Sequence, residues 1–279
     1  ISIASRNCFD YYKMGNDFGG IGPGKVADIL ILDDYKKIKI NKVILGGKIV
    51  VSNGKIVAKI HAPKVPTWMK KTVKIPKLQP KSFNVTSKNN VETVNTILMK
   101  TEIVTKKNSA DLGVMNSNVS ASYDKDIWKV AALDRTFGSK TKTVGFLENF
   151  GADIGAFAST WSFHENDMIV IGSNESDMAD ACNKLTKSQG GLIVVKDGKT
   201  LASLPFQLGG ILSTDPIDKV TKNLAKINDV LSDSGCKFKK PHLMPLFLPF
   251  LALPDIRILY SGIVDVKSRQ FIPTIQTNL

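Results

Sequence analysis

The sequence predicts a fold of the α+β or α/β class, in which a small β-rich segment precedes a larger α/β domain. Between residues 27 and 60, short apolar runs alternate with turn residues, which is typical of neighbouring strands. The apolar run Met168–Gly172 is followed by a helical pattern and by a second apolar run, Leu192–Val195, which predicts a strand–helix–strand unit. With 279 residues, of which 43% are hydrophobic, the chain can form one large domain or two smaller ones.

The first 60 residues are predicted to form the end of a helix and then a compact β unit. Ile3, Ala4 and Cys8 fall at helical spacing, and Gly15–Asn16 ends the helix. The Asn-Gly pair at residues 53–54, between apolar runs, is a strong hairpin signal. The strands predicted before it lie at residues 27–32, 38–45 and 49–51.

The middle of the chain changes composition twice. Residues 61–82 hold four prolines among lysines, which indicates either a linker or an extended crossing segment. Beyond them, residues 91–104 are β-rich, and residues 105–124 are predicted to be a polar loop. Further strands are predicted at 127–133 and from residue 143.

Two helices are predicted in the last part of the chain. The first is capped by Ser173 or Asn174 and ends at Gln189–Gly191. The second, which is the longest, begins after Asp215–Pro216 and ends at Gly235. Their apolar stripes consist of Met178, Cys182 and Leu185 in the first helix, and of Ile217, Val220, Leu224, Ile227 and Leu231 in the second.

The net charge of +13 is concentrated in one part of the chain. Residues 35–90 hold 14 lysines and no acid or arginine, whereas the remaining 24 basic residues nearly balance the 25 acidic ones. Arginine supplies the bidentate fork that reads guanine and clamps phosphate, while lysine is only a point charge. We therefore expect no nucleic-acid partner. The lysines are expected to form a solvated surface or a face that meets an acidic neighbour.

Composition argues against three other classes of protein. Three widely spaced cysteines are too few for a disulfide scaffold. The longest apolar run, residues 243–253, is interrupted by two prolines and is shorter than the roughly 20 residues that a membrane span needs. The first residues lack a basic region and an initiator Met, so we expect no signal peptide, no membrane partner and a cytoplasmic location.

Motifs for catalysis are scarce. The three histidines, His61, His164 and His242, lie far apart in the sequence, which has no H-x-H, H-E-x-x-H or C-x-x-C. A hydrolytic metal centre usually needs two or three histidines together with carboxylates. By its residues alone, the chain is therefore not expected to be a self-sufficient enzyme or to bind a catalytic metal.

The candidate site is the polar segment 159–167, which directly precedes the predicted strand at Met168. It places His164 beside Glu165, a pair suited to acid–base chemistry or to metal contact. Trp161 in the same segment can stack on a planar ligand. The simpler alternative is a solvated turn that caps the strand.

Two stretches near the amino terminus resemble the amidohydrolase superfamily. Gly20–Leu32 is similar to the segment G-x-I-x-P-G-x-x-A-D-[IL]-x-x-L, by which the chain of such enzymes leaves the catalytic barrel and joins a small β-sandwich. Ile3–Asn7 resembles the A-T-x-N-P-A helix that follows the last barrel strand.

Residues 126–275 resemble the C-terminal domain of the prokaryotic adenine deaminases. The matching stretches agree in order and spacing, and they are Gly151–Thr160, Ile169–Met178, Gly190–Val195, Leu204–Ser213 and Phe250–Pro254. Together the resemblances imply four parts, namely the terminal helix of a barrel at 1–17, a β-sandwich segment at 18–60, a Pro/Lys-rich linker at 61–84 and an adenine-deaminase-type C-terminal domain at 85–279.

The resemblance implies a function that depends on a part of the protein outside this chain. The metal-binding TIM barrel of the family is absent, because its ligands would all lie before Ile1. Joined to that barrel, the protein is expected to hydrolyse adenine to hypoxanthine and ammonia in purine salvage. A divalent metal (Mn, Fe or Zn) would lie in the barrel, and this chain alone is expected to be inactive. The expected partners are the N-terminal barrel, from the same gene or a separate chain, and further copies in a homo-oligomer.

The site residues follow from the same resemblance. The family usually carries His-Asp-Ser-His-Asn where this chain has Phe163–Asp167. A shift of one residue places His164 and Glu165 on the His-Asp pair, so these two are the expected catalytic residues and Trp161 the expected substrate contact. The alternative is a divergent, non-catalytic relative that serves as an assembly or binding module.

Overall fold

The computed structural model describes residues 1–59, 64–163 and 165–276 of the chain. The chain divides into an amino-terminal unit, Ile1–Lys64, and a carboxy-terminal unit, Val65–Leu279. The mixed α+β class is confirmed, since both units contain sheets and none of the sheets formed by the described residues closes into a barrel. No helix in these ranges is long and apolar enough to cross a membrane.

The amino-terminal unit begins with two short helices and continues as a four-stranded antiparallel sheet. A 3₁₀ helix, Ser2–Ala4, precedes α1, Arg6–Tyr11, and the strands follow one another in sequence order. The predicted helix over residues 1–15 is therefore shorter than expected, because Ser5 lies outside the helical region at φ −138° and ψ −98°. The strands are β1 (Ile29–Asp34), β2 (Lys39–Leu45), β3 (Lys48–Ser52) and β4 (Lys55–Ile56).

This sheet carries apolar side chains on both faces. Cross-strand partners lie on the same face of a sheet. Leu30, Val43, Val51 and Ile56 are paired in turn and line one face, whereas Ile29, Ile44 and Ile49 line the other. No side chain among residues 1–59 is buried, and Leu30 and Ile56 remain 55% and 64% exposed. The sheet therefore has no core of its own.

The carboxy-terminal unit is built on one nine-stranded sheet. Its spatial order is β13-β12-β10-β11-β8-β9-β5-β6-β7, and every neighbouring pair is antiparallel except β5 and β9. The strands are β5 (Val91–Met99), β6 (Thr105–Met115), β7 (Asn118–Val119), β8 (Ile127–Leu133), β9 (Lys142–Glu148), β10 (Ala156–Ser159), β11 (Met168–Gly172), β12 (Gly191–Lys196) and β13 (Lys199–Pro205).

The prediction of a polar loop at residues 105–124 is wrong. Residues Thr105–Met115 form the long strand β6, which pairs with β5 from residue 105 to residue 113. Most of its side chains are exposed, so the strand lacks the apolar alternation by which a half-buried strand is recognised. Its pairing with an apolar neighbour holds it in the sheet, because strand formation depends more on context than on propensity.

Helices cover both faces of the large sheet, and a three-stranded sheet follows them. Helix α2 begins after Asn174, whose Oδ1 accepts the Asp177 N–H at 2.8 Å, so Asn174 rather than Ser173 is the cap. The remaining elements are α2 (Glu175–Ser188), α3 (Ile217–Asp233), α4 (Met244–Phe247), β14 (Ile256–Leu259), β15 (Gly262–Asp265), β16 (Gln270–Ile272) and the 3₁₀ helices Thr67–Lys70, Pro80–Phe83 and Pro241–Leu243.

The two strands and the helix of the predicted strand–helix–strand unit are present, but the strands are not neighbours in the sheet. Strands β11 and β12, which flank helix α2, do not pair with each other, because β10 lies between them and is antiparallel to both. The apolar stripe of α2 is buried, whereas in α3 only Ile227 and Leu231 of the predicted stripe are fully buried and Ile217 is 71% exposed.

Alternate residues of the central strands enter two separate cores. Val170 of β11 belongs to the cluster that contains Met178 and Cys182 of α2. Its neighbours Ile169 and Ile171 belong to the cluster formed with α3, α4 and the three-stranded sheet. The sheet is thus the middle layer of three.

The segment after Lys64 belongs to the carboxy-terminal unit. Of the two alternatives for this Pro- and Lys-rich stretch, its buried side chains correspond to an extended crossing segment. Val73, Ile75, Leu78 and Phe83 are buried in the cluster shared with α2. Residues 60–63, at the start of the stretch, lie outside the described residues.

A buried lysine joins this crossing segment to the sheet and to α2. Lys129 on β8 is 1% exposed, and its Nζ donates to Glu175 Oε1 at 2.6 Å, Asn118 Oδ1 at 2.9 Å and the Phe83 carbonyl at 3.1 Å. An ammonium group has three donors, so all of them are satisfied. Burial lowers the pKa of Lys129, and the Glu175 carboxylate opposes this change.

Glu175→Ala is expected to destabilise the carboxy-terminal unit by about 3–5 kcal/mol, because it leaves the Lys129 ammonium buried without its counter-charge. Lys129→Met retains most of the stem and removes the charge, so its loss should be smaller. As a control, Lys184→Met breaks a partly exposed pair with Asp180 and should change stability by about 1 kcal/mol or less. Urea unfolding followed by tryptophan fluorescence measures all three, and equal losses would contradict the expected order.

Candidate functional site

The register of the large sheet brings four connecting segments to one of its ends. Ser159 at the end of β10 pairs with Ile169 near the start of β11, and Leu133 at the end of β8 pairs with Met168. Gly191 at the start of β12 pairs with Pro205 at the end of β13. The segments 134–141, 160–167, 189–190 and 206–212 therefore meet at this end, and the loop 160–167 carries every predicted site residue.

Trp161 lies half-buried at the base of this loop. Its ring packs edge-on against Phe206, with centroids 5.7 Å apart, and lies nearly parallel to the ring of His242 at 6.1 Å and 9°. Its backbone N–H donates to Ser159 Oγ at 3.0 Å. Burial lowers the pKa of His242, whose Nδ1 lies 2.8 Å from Asn228 Oδ1. The neutral imidazole is thus favoured beside the indole.

Glu165 is half-buried and keeps part of its hydrogen-bonding capacity. Its Oε1 accepts the Leu251 N–H at 3.3 Å. Its Oε2 is shielded from solvent and has no hydrogen-bond partner among the described residues. Phe163, two positions earlier, is 53% exposed and contacts Phe247 and Phe250, with centroids 5.0 and 5.3 Å away. The hydrogen bond to Leu251, the residue after Phe250, thus brings the carboxylate to the segment that carries these aromatic side chains.

His164, the other predicted catalytic residue, lies outside the described residues. The structure thus places two of the three predicted site residues, Trp161 and Glu165, on one loop. It also brings His242 next to Trp161, although the two are far apart in the sequence.

Asp167, which ends the loop, is the most strongly perturbed carboxyl of the site. It is 1% exposed, and its Oδ2 accepts the Tyr260 N–H at 2.9 Å. Burial raises the pKa of Asp167 to about 7, and the charges of Glu165 and Asp134 act in the same direction. The Tyr260 hydrogen bond and the guanidinium of Arg135 lower it. A carboxyl that titrates near neutrality can hold or release a proton there.

Two neighbouring charged residues at the end of β8 complete the cluster. The Asp134 carboxylate accepts four hydrogen bonds, from the backbone of Thr136, Phe137 and Ser139 and from the Ser139 hydroxyl. Burial acts to raise the pKa of Asp134, but these hydrogen bonds outweigh it and lower the pKa. Arg135 is 2% exposed and donates to Asn166 on the candidate loop.

Three residues of the site, Asp167, Arg135 and His242, are not among those that the sequence predicts. Asp167 is the last residue of the polar run, while Arg135 and His242 approach the loop only through the folded sheet and the 3₁₀ helix before α4. An Asp-Arg pair directly after an apolar strand was the one available signal, since buried strands seldom end in two charges without a partner.

The described residues do not fit a metal centre. No group of three or more His, Cys, Asp or Glu side chains in the described ranges is arranged to hold a metal ion. Asp167 instead lies within reach of the charges of Glu165, Asp134 and Arg135, and the Asp134 carboxylate accepts hydrogen bonds from its own turn.

Comparison with known proteins gives a consistent set of relatives. Residues 102–270 match the family model described as "Adenine deaminase C-terminal domain". The chain is 53% identical over 275 residues to an adenine deaminase of Cenarchaeum symbiosum, a match that covers 99% of this chain and 45% of that protein. Adenine deaminases of Desulforamulus reducens and Clostridium botulinum are 31% and 30% identical, with 47% and 46% of their lengths covered. The chain thus spans about half the length of the curated relatives it matches.

The raised pKa of Asp167 predicts how stability depends on pH. The folded protein holds the proton up to about pH 7, whereas an unfolded aspartate releases it near pH 4. The free energy of unfolding should therefore fall as pH rises from about 4 to 7, by up to about 1.4 kcal/mol per pH unit from this group. Asp167→Asn retains an acceptor for Tyr260 and removes the titration, so this component of the slope should disappear.

Urea titrations between pH 5 and 8 measure this slope in the unmodified chain and in the variant. Asp229→Asn, at an exposed position of α3, is the matched control and should leave the slope unchanged. An identical slope in Asp167→Asn and in the unmodified chain would show that Asp167 does not titrate in this range.

Proposed function

This chain belongs to the adenine deaminase C-terminal domain family, and we propose from that premise that it is the carboxy-terminal part of an enzyme that hydrolyses adenine to hypoxanthine and ammonia. Membership of this family is the observation that carries the proposal. The relatives named adenine deaminase are about twice as long as the chain. The catalytic barrel is proposed to lie in the part of the protein that those relatives have in addition.

The amino-terminal unit supports this division. Its sheet is apolar on both faces and buries no side chain among residues 1–59. Soluble proteins seldom leave such surfaces exposed, so a further part of the protein is proposed to cover them. Ile1, Ile3, Tyr11 and Tyr12, in and beside the two short helices, are each more than 70% exposed and are proposed to be covered as well.

A divalent metal, proposed to be Mn, Fe or Zn, would be held by residues of the barrel. The described residues of this chain do not fit that role. Its own contribution is proposed to come from the loop 160–167. Glu165, one of whose carboxylate oxygens has no partner in the part of the chain that the structure describes, is suited to accept or hold a proton, and His164 is proposed to share this role.

Binding of the base is proposed to use the aromatic groups around this loop. Trp161 presents a half-buried indole whose ring is held by Phe206 and His242. Phe163 and its two aromatic neighbours can cover a planar purine and exclude water from it. A role in purine salvage is proposed because the reaction converts one free purine base into another.

In the complete protein, Glu165→Gln and His164→Ala should each lower the turnover of adenine roughly 100-fold, because each removes a group that handles a proton. Steady-state assays of ammonia release measure the effect. Asp218→Asn, at an exposed position in the first turn of α3, should retain full activity. Unchanged kinetics in both site variants would reduce the loop to a structural cap, and no turnover in the unmodified protein would favour a non-catalytic relative.

The 279-residue chain alone is expected to bind no catalytic metal and to leave adenine unchanged, since its described carboxylates and histidines form no metal-binding group. Metal analysis after dialysis against Zn²⁺ or Mn²⁺, with an ammonia assay on the same sample, tests this. Tight binding of one metal ion per chain would contradict the expectation and would place the metal in this part of the protein.

A further inference from the structure

Arg135 is a buried charge that the proposed reaction does not use. It follows Asp134 directly after β8, is 2% exposed and stands at the end of the sheet where the candidate loop lies. Burial lowers its pKa and the charge of Asp167 opposes this change. Burying a guanidinium costs free energy unless the group is paired and hydrogen-bonded. The contacts of Arg135 therefore indicate why an arginine lies at this position.

The contacts of Arg135 join three segments. Its Nη2 donates to Asn166 Oδ1 of the candidate loop at 3.1 Å, and its Nη1 donates to the Gly209 carbonyl at 3.0 Å. Its own carbonyl accepts the Lys74 N–H of the crossing segment at 2.8 Å. The planar fork of an arginine can reach the Asn166 side chain and the Gly209 carbonyl at once, whereas a lysine offers one point of contact.

The backbone that carries Arg135 is itself held in place. The four hydrogen bonds of the Asp134 carboxylate close the turn that follows β8. On the other side, a Cβ atom at Gly210 would lie 2.8 Å from Arg135 Nη1. The guanidinium therefore has little freedom to move away from the loop.

The candidate loop needs such a support. Asn166 has a left-handed backbone, with φ of 57°, between the half-buried Glu165 and the fully buried Asp167. This conformation is uncommon for a residue with a side chain and persists where the surroundings hold it. The hydrogen bond from Arg135 holds the side chain of Asn166. The backbone conformation of Asn166 in turn helps to fix the position of the preceding residue, Glu165.

We propose that Arg135 is the positioning residue of the segment 165–167, which it orients through its hydrogen bond to Asn166 so that the Glu165 carboxylate keeps its place. The inference rests on the proposed function of that carboxylate. Arg135 is not proposed to touch the substrate. Its effect on the reaction would be exerted entirely through Glu165.

The test uses the complete protein with Arg135→Met and Arg135→Lys. Because a misplaced catalytic group costs rate rather than affinity, Arg135→Met should lower kcat about 10- to 100-fold with KM nearly unchanged. Arg135→Lys keeps the charge and loses the fork, so its kcat should be intermediate. In a Glu165→Gln background, Arg135→Met should lower kcat little further, because both changes act through the same group. Arg269→Met, at an exposed arginine, is the control.

Hydrogen–deuterium exchange separates positioning from a general loss of structure. In Arg135→Met, exchange should increase in residues 165–167 and stay unchanged in β8 and β11. Should the Met variant fail to fold, the Lys variant carries the same measurements. Unchanged kcat, an effect that multiplies with that of Glu165→Gln, or unchanged exchange in the loop would each overturn the inference.

A failure of the proposed function would be seen in a different measurement. It would appear as an absence of adenine turnover in the unmodified protein, before any variant is made. Unchanged loop exchange in Arg135→Met, by contrast, contradicts the present inference whether or not the unmodified protein is active.

Discussion

The burial of the nine-stranded sheet on both faces is the constraint on which the carboxy-terminal unit depends. Successive residues of β8 and β11 enter opposite cores, so almost every side chain along these strands must be apolar. Within the strands a charged group needs a full set of partners, as Lys129 of β8 has, whereas the strand ends leave room for further polar groups. Because the pairing is antiparallel, the end of β8 and the connection from β10 to β11 lie together. The position of the candidate site thus follows from the layered packing.

Two buried cations in this unit show how differently such charges are used. The Lys129 ammonium has three donors, and each of them has an acceptor, one of which is the Glu175 carboxylate. At the sheet end, Arg135 keeps an Nε without a hydrogen-bond partner in the described part of the chain, and burial raises the pKa of Asp167 to about 7. A charged pair whose hydrogen bonds are all made stabilises the contact between the elements that it joins. A pair with hydrogen-bonding capacity left can still bind a proton or a neighbouring group. This difference supports the proposal that the second cluster serves the function, whereas the first serves the structure.

How far the sequence predicted this unit depends on what each element buries. Strands β8 and β11 and helix α2 were identified because they bury continuous apolar runs or a full stripe. Strand β6 was missed because its side chains face solvent and only its backbone is paired. The loop was recognised by its polar run, but its contacts with Arg135 and His242 arise from register and packing between segments that are distant in sequence. No local pattern encodes such contacts.

The two units differ in whether they contain a hydrophobic core of their own. The carboxy-terminal unit has cores on both sides of its sheet, and these cores hold the strands from which the loop 160–167 extends. The amino-terminal unit has no buried side chain among residues 1–59, although its strands are as apolar as a core requires. A sheet of this kind gains its stability from whatever covers it, since hydrophobic burial is the main favourable term in folding. The amino-terminal unit is therefore the part of the chain whose own stability depends most on the rest of the protein, whereas the candidate loop rests on a scaffold that is already complete.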